Sequence, residues 1–144
     1  MERFKFYSAT NEEKQSTIEQ IAAGLKGRDE IAFAYLHGSF LRDGPFKDID
    51  LAVYLREQVL GRDNFLYEIH LEDALKPLVP FPIDVRILNN APLSFKYSVI
   101  KNGYLLIEND SSVRSDFQEV TLDRYFDFVP FRKRYFKETL GLEI

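Results

Sequence analysis

The chain has 144 residues, 45% of them hydrophobic and 29% charged, a composition typical of a folded protein with room for one hydrophobic core. Its formal net charge of −4 does not favour nucleic acid as a partner, and the absence of cysteine excludes disulfides, thiolate nucleophiles and cysteine zinc sites. The start does not read as a signal peptide and no apolar run approaches the roughly 18 residues that span a bilayer, so we expect one cytoplasmic domain over residues 1–144.

The first predicted elements are a helix and a strand. Thr10 followed three positions later by Glu13 is a capping box, which marks the start of a helix. Apolar residues between Ile18 and Leu25 then recur at helical spacing, and Gly27 is expected to end the helix. In residues 31–37 the odd-numbered and the even-numbered positions are both largely apolar, which predicts a strand that is buried on both faces.

Three further strands are predicted, and two of them carry acids among core residues. The second strand covers about Asp48 to Leu55 and the third about Phe81 to Leu88. In both, apolar residues alternate with polar ones, so one face is expected to be core and the other to carry the acids. A short fourth strand covers Tyr104 to Glu108.

Two helices are predicted between these strands. Asp63 is expected to cap the first of them. Its apolar side is predicted to include Phe65, Leu66 and Ile69 and to continue at helical spacing with Leu71, Leu75 and Leu78. A proline at the start and a glycine at the end delimit the other, over about residues 92–103.

The last predicted element is an aromatic-rich helical region of about 111–140, which Pro130 is expected to break or kink. Seven aromatic residues crowd it: Phe117, Tyr125, Phe126, Phe128, Phe131, Tyr135 and Phe136. We expect most of them to be core, as aromatic stripes on helices usually are, and the alternative is that some form a partner-binding surface. The basic residues between 132 and 137 are expected to be a solvated helix face.

Helices and strands therefore alternate along the chain. The expected fold class is α/β (α+β), with a mixed β-sheet of about four strands packed by helices. We find no internal repeat, low-complexity segment or linker.

Three acids within the strand patterns are candidate metal ligands. Asp48 and Asp50 are two positions apart in a strand, so they project from one face with backbones about 6.6 Å apart. If the second and third strands pair, Asp84 joins them, and such a triad can hold two Mg²⁺ ions about 3.5–4 Å apart. The alternative is that these acids lie at strand ends and face solvent.

The turn before the second strand adds candidate phosphate-binding residues. Gly38 lets the backbone approach a phosphate closely, and Ser39 supplies a hydroxyl at a predicted helix N-terminus. Arg42 could reach a phosphate or simply be solvated. His37 is expected to be a packed or capping histidine, whereas Arg86 could pair with the acid two positions before it or touch a nucleotide.

The Gly38-Ser39 pair, the acidic strand of residues 48–53 and the later strand of residues 83–85 together resemble the minimal nucleotidyltransferase (MNT) family of the DNA polymerase β-like superfamily. The likeness covers nearly the whole chain and is greatest for the MntA-type antitoxins encoded beside HEPN-domain ribonuclease toxins. One departure is the loop of eight residues between Ser39 and the first acid, which is shorter than is usual in the family. We interpret it as a subfamily trait that reshapes the triphosphate pocket and leaves the metal ligands in place.

The resemblance implies a Mg²⁺-dependent nucleotidyltransferase that moves AMP from ATP to a tyrosine hydroxyl of a HEPN toxin and thereby silences it. Carried across to this sequence, Gly38 and Ser39 would bind the triphosphate. Asp48 and Asp50 would bind metal, and Asp84 would complete the triad as a metal ligand and as the base for the incoming hydroxyl.

Two other functions stay open from the sequence. One is a nucleotidyltransferase that acts on RNA or a small molecule, although 144 residues leave little room for a dedicated acceptor pocket. The other is a non-catalytic antitoxin that binds its partner and masks it. The sequence is compatible with an oligomer.

Overall fold

The computed structural model describes residues 5–59, 61 and 64–140, without the side chains of residues 132, 135, 136, 139 and 140. Four strands form one sheet: β1 Ile31–His37, β2 Ile49–Leu55, β3 Ile83–Ile87 and β4 Tyr104–Glu108. Four helices surround it: α1 Asn11–Leu25, α2 Asn64–Leu75, α3 Leu93–Asn102 and α4 Ser111–Leu140. The expected class is confirmed, because the sheet is mixed and helices pack on it.

The sheet has the strand order β3-β2-β1-β4. β1 pairs antiparallel with both β2 and β4, whereas β2 and β3 run parallel. Asp50 lies opposite Asp84 across the parallel pair and opposite His37 across the antiparallel pair. β2 is therefore central, and β3 forms one edge of the sheet.

Each face of the sheet has its own hydrophobic core. On one face, Leu51 and Val53 of β2 pack in a cluster with Leu25 of α1 and Leu71 of α2. On the other face, residues of β1 and β2 pack with residues of α3 and α4: Phe33, Tyr35, Ala52, Val99 and Phe117. β1 is buried on both faces, as its sequence predicts.

α1 begins and ends where the sequence predicts. The Thr10 hydroxyl accepts a hydrogen bond from the Glu13 amide at 3.1 Å, and the Glu13 carboxylate accepts one from the Thr10 amide at 2.9 Å. After Leu25, Gly27 adopts a φ of 86°, a left-handed conformation that is least costly for glycine and ends the helix.

The predicted apolar side of α2 is confirmed for Leu71 and Leu75 and wrong for Phe65 and Leu66. Phe65 and Leu66 are exposed, at 71% and 44%, and the buried residues of this helix are Leu71 and Leu75. Phe65 and Leu66 lie outside the core because α2 also flanks the β3 edge and presents glutamates to it. Asp63, the expected cap, lies outside the described residues.

The prediction that most aromatic residues of the last helix are core is also wrong for the described ones. Phe117 is buried and Tyr125 is half-buried, whereas the rest are exposed: Phe126, Phe128 and Phe131. A helix of 30 residues is about 45 Å long, which exceeds the length of the five- to seven-residue strands on which it packs. The side chains of Tyr135 and Phe136 lie outside the described part of the structure.

α4 continues through Pro130, so Pro130 does not break the helix, and a kink at this residue stays a prediction. None of the helices that the structure describes is both long enough and apolar enough to cross a membrane.

Candidate active site

Three carboxylates converge on the face of the sheet that α3 and α4 cover. Asp50 belongs to β2 and Asp84 to β3, directly opposite each other, while Asp48 immediately precedes β2, which begins one residue later than predicted. One oxygen from each of the three carboxylates lies within 4.8 Å of the others. Because β2 and β3 pair in this register, the structure brings together the three acids that the sequence singled out.

The acids are crowded enough to disturb their own ionisation. Burial and, after it, the negative charges of Asp48 and Asp84 raise the pKa of Asp50 to about 7. Burial also raises the pKa of Asp84, and the guanidinium of Arg86 opposes that shift. Repulsion among three carboxylates is relieved by a cation, and oxygen ligands of this kind suit a hard divalent ion. The donor set therefore fits magnesium.

Gly38 is the residue of the turn on which the geometry depends most. Its φ is 84°, in the region that side-chain-bearing residues rarely adopt. A Cβ at this position would overlap the carboxylate oxygen Oδ2 of Asp50. The backbone thus passes directly against the acid cluster, and only a glycine allows that approach.

Ser39 follows Gly38 as the first residue of a short 3₁₀ turn that ends at Leu41. The amides of Leu41 and Arg42 donate to the carbonyls of Gly38 and Ser39 at 3.2 and 3.0 Å. Phe40 anchors the turn from inside, because it is buried in the core of the α1–α2 face. The predicted helical turn is thus present.

Arg42 lies at the end of this turn, and its side chain is exposed. Its carbonyl accepts a hydrogen bond from Nζ of Lys14 at 2.8 Å, which ties the loop to α1. The structure places Arg42 next to the turn, and its phosphate-binding role stays a prediction.

His37 and Arg86 lie beside the acids. The imidazole of His37 packs edge-to-face on Phe95, with ring centroids 5.2 Å apart, so the expectation of a packed histidine is confirmed. Within the described part of the chain its Nε2 is buried without a hydrogen-bond partner. Burial and the positive charge of Arg86 lower the pKa of His37, while Asp48 opposes them.

The Nε atom of Arg86 lies 3.8 Å from Oδ2 of Asp84, and the guanidinium lies 6.0 Å from the centre of the Phe95 ring. Pairing with the acid, one of the two roles expected for Arg86, is therefore present. The sequence did not reveal the shared contact of His37 and Arg86 with Phe95, because that residue belongs to another element, α3, and is far from His37 along the chain.

A large cavity lies away from the three acids. It has a volume of about 530 Å³ and is lined by Tyr54, Lys96 and Phe117, among others, but by none of the three acids. Tyr54 is four residues beyond Asp50 on β2, which places it about 13 Å along the strand. Cavity size alone would miss the acid cluster, because none of the three acids lines this cavity.

A family model described as "Polymerase beta, Nucleotidyltransferase" matches residues 19–112 of the chain. The matched region runs from α1 to the start of α4 and includes the glycine turn and all three acids. A comparison with curated protein sequences gave no match.

Solved structures with the same fold include toxin–antitoxin complexes. One contains the MNT antitoxin of Shewanella oneidensis with its tri-AMPylated HEPN toxin: identity is 20%, the TM-score is 0.66, and the alignment covers 88% of this chain and 98% of that one. A MntA–HepT complex is 20% identical with a TM-score of 0.64 and the same coverage. A toxin–antitoxin complex with AMP-PNP is 19% identical with a TM-score of 0.64, over 85% of this chain and 98% of that one. At such identities the likeness is one of fold.

Proposed function

The chain belongs to the polymerase beta nucleotidyltransferase family, and on that premise we propose that it transfers AMP from ATP to a tyrosine hydroxyl of a HEPN toxin and acts as its antitoxin. The observation that carries the proposal is the register of β2 and β3, which gathers Asp48, Asp50 and Asp84 beside the glycine turn. The toxin–antitoxin structures of the same fold, one with an AMPylated toxin and one with AMP-PNP, support the choice of acceptor and nucleotide.

In the proposed reaction the tyrosine oxygen attacks the α-phosphorus of ATP. The bond between that phosphorus and the α–β bridging oxygen breaks, and pyrophosphate leaves with the bond's electron pair. The phenolic proton passes to the carboxylate of Asp84, the general base in this proposal. The products are a toxin with AMP on its tyrosine, pyrophosphate and a protonated Asp84, which then returns its proton to water.

Mg²⁺ held by Asp48, Asp50 and Asp84, two ions by our expectation, would offset the negative charge of the triphosphate and of the transition state. Gly38 and Ser39 position the triphosphate, because the backbone at Gly38 passes close to the acids and the Ser39 hydroxyl is a donor beside it. Arg42 adds a positive charge at the end of the turn. Because the reaction consumes ATP, we propose that it takes place in the cytoplasm.

The test is to incubate the chain with ATP, Mg²⁺ and the protein encoded beside it, and to measure the intact mass of that protein. We expect mass increases in multiples of AMP. Asp84→Asn should lower the rate by about 10²–10⁴-fold, the usual contribution of a general base, whereas Asp73→Asn, at an exposed acid of α2, should not. A partner whose mass does not change with the wild-type chain would refute the proposal.

A binding-only antitoxin is the second candidate, and the exposed aromatic residues of α4 favour it. Combining Asp48→Asn with Asp50→Asn separates the two functions, since it removes metal ligands and leaves α4 unchanged. If this double variant neutralises the toxin as well as the wild type does, binding alone suffices.

A further inference from the structure

A groove runs between α2 and the exposed edge of β3, and it reaches the candidate active site. Its cavity has a volume of about 300 Å³ and is lined by Phe65, Glu68 and Glu72 of α2 and by Asp84 and Val85 of β3, among others. We call it the β3 groove. Because Asp84 belongs to its wall, a chain lying in the groove would have its side chains beside the proposed base.

Two main-chain donors of the β3 edge are already occupied. The amide of Val85 donates to Oε2 of Glu72 and the amide of Ile87 donates to Oε2 of Glu68, both at 2.8 Å. A ligand therefore cannot bind by adding a strand to this edge without displacing the glutamates. Binding in the β3 groove has to rely on side chains instead.

The floor of the β3 groove is acidic. Each glutamate has one carboxylate oxygen, Oε1, that is not used in its bond to the strand, and Asp84 adds a third carboxylate. The one cation of the lining, Arg86, is paired with Asp84 at 3.8 Å. The net negative charge complements a basic ligand, and a chain of net charge −4 does not oppose its approach.

One end of the β3 groove is apolar. Phe65 lines it and is 71% exposed, and its neighbour Leu66 is 44% exposed. Phenylalanine has only two side-chain dihedral angles to order, so Phe65 can anchor a partner at little cost in conformational entropy. The ligand that fits this groove therefore combines an apolar group, which packs on Phe65, with a basic group, which pairs with the carboxylates.

We propose that the β3 groove docks the acceptor segment of the partner protein, an irregular stretch in which a lysine or arginine flanks the tyrosine. The basic side chain pairs with Glu68 and Glu72, an apolar neighbour packs on Phe65, and the tyrosine hydroxyl then lies beside Asp84. This inference rests on the proposed function for the identity of the acceptor. It adds to that function the surface that selects the tyrosine, and it states the charge of the residues that flank this tyrosine.

The test uses two tyrosine peptides that differ only in their flanking residues, lysines in one and glutamates in the other. Binding of each to the full chain is measured by fluorescence anisotropy. We expect the lysine peptide to bind about tenfold more tightly. Glu68→Gln with Glu72→Gln should remove this preference while keeping an oxygen for each β3 amide, and Phe65→Ala should weaken the lysine peptide about tenfold. Tyr104→Ala, at a residue 47% exposed on β4 at the opposite edge of the sheet, is the matched control and should have no effect.

The outcomes separate this inference from the proposed function. Equal affinity for the two peptides, no binding of either at about 1 mM, or full binding by the Phe65 and glutamate variants would overturn the β3 groove as the acceptor site. If the wild-type chain prefers the lysine peptide but adds no AMP to the toxin, the groove stands and the proposed function fails. If it adds AMP and the groove variants leave the KM for the toxin unchanged, the groove alone fails.

Discussion

At the scale of single residues, Gly38 is constrained twice. It needs a positive φ of 84°, and a side chain there would overlap the carboxylate of Asp50. We predict that Gly38→Ala lowers the rate of the proposed AMP transfer at least about 100-fold, because displacement of Asp50 disturbs the proposed metal ligands, and costs about 1–3 kcal/mol of stability. Enzyme assays and denaturant unfolding measure the two effects.

Gly27 is the matched control for this prediction. Its φ is 86°, but an added Cβ would meet nothing within 4 Å. Gly27→Ala should therefore show a similar backbone cost in unfolding and keep the activity of the wild type. If both variants lose activity equally, backbone strain and not contact with Asp50 is the cause.

Asp50 makes stability depend on pH. Its pKa rises from an ordinary value of 3.8 to about 7 in the folded protein, so the folded state binds more protons than the unfolded state between these values. The stability that protonated Asp50 contributes is therefore fully present below about 3.8 and is lost as the pH rises through about 7. The metal-free protein should accordingly become less stable between these pH values.

The check is thermal unfolding of the metal-free protein, in the presence of EDTA, at several pH values. Asp50→Asn should flatten the pH dependence and raise the midpoint at pH 8 by about 3 °C, the shift that about 1 kcal/mol produces in a domain of this size. The pKa of Asp84 is also raised, so in the Asp50→Asn variant the unfolding midpoint should still depend weakly on pH. Asp73→Asn should keep the wild-type slope, and the same flattening by this variant would argue against Asp50 as the source.

At the scale of elements, α2 protects the β3 edge through two side-chain hydrogen bonds. Replacing Glu68 and Glu72 together by alanine should cost about 1–3 kcal/mol, because two strand amides lose their acceptors, and should speed hydrogen exchange at Val85 and Ile87. Chemical denaturation and exchange measured by NMR test this. The two glutamine substitutions keep an acceptor at each position, so a loss as large as that of the alanine variant would contradict the explanation.

At the scale of the whole molecule, the second half of α4 presents aromatic residues that the chain itself does not bury. Phe128 and Phe131 are 45% and 69% exposed. We predict that changing both to serine alters the free energy of unfolding by less than about 0.5 kcal/mol and weakens association with the toxin, since a large exposed apolar surface marks an interaction site. Calorimetry and pull-down of the toxin measure the two effects.

Phe117 provides the contrast on the same helix. It is 7% exposed and packs with Phe33 and Tyr54, so Phe117→Ala should cost about 3 kcal/mol or more. Stability losses of similar size for the exposed pair would mean that the chain buries those residues in solution and that they are not a docking surface.

Much of the fold follows from local patterns in the sequence. The capping box of Thr10 and Glu13, the glycine after α1 and the alternation along β2 and β3 each depend on residues within a few positions of one another, and the structure agrees with them. The same alternation predicted that Asp48 and Asp50 share a face. Such features are read directly from the chain because helix and strand periods are properties of the backbone.

Other features depend on contacts between elements. The register that sets Asp84 opposite Asp50, the hydrogen bonds from the β3 amides to Glu68 and Glu72, and the overlap that a side chain on Gly38 would cause all join residues 12 to 34 positions apart. The wrong predictions have the same origin, since the exposure of Phe65 and of the α4 aromatics depends on where α2 and α4 lie relative to the sheet. The sequence by itself thus determined the elements and the chemical character of the site. Only the tertiary structure decided which faces are covered and which groups meet, because burial and proximity are set by packing between distant segments.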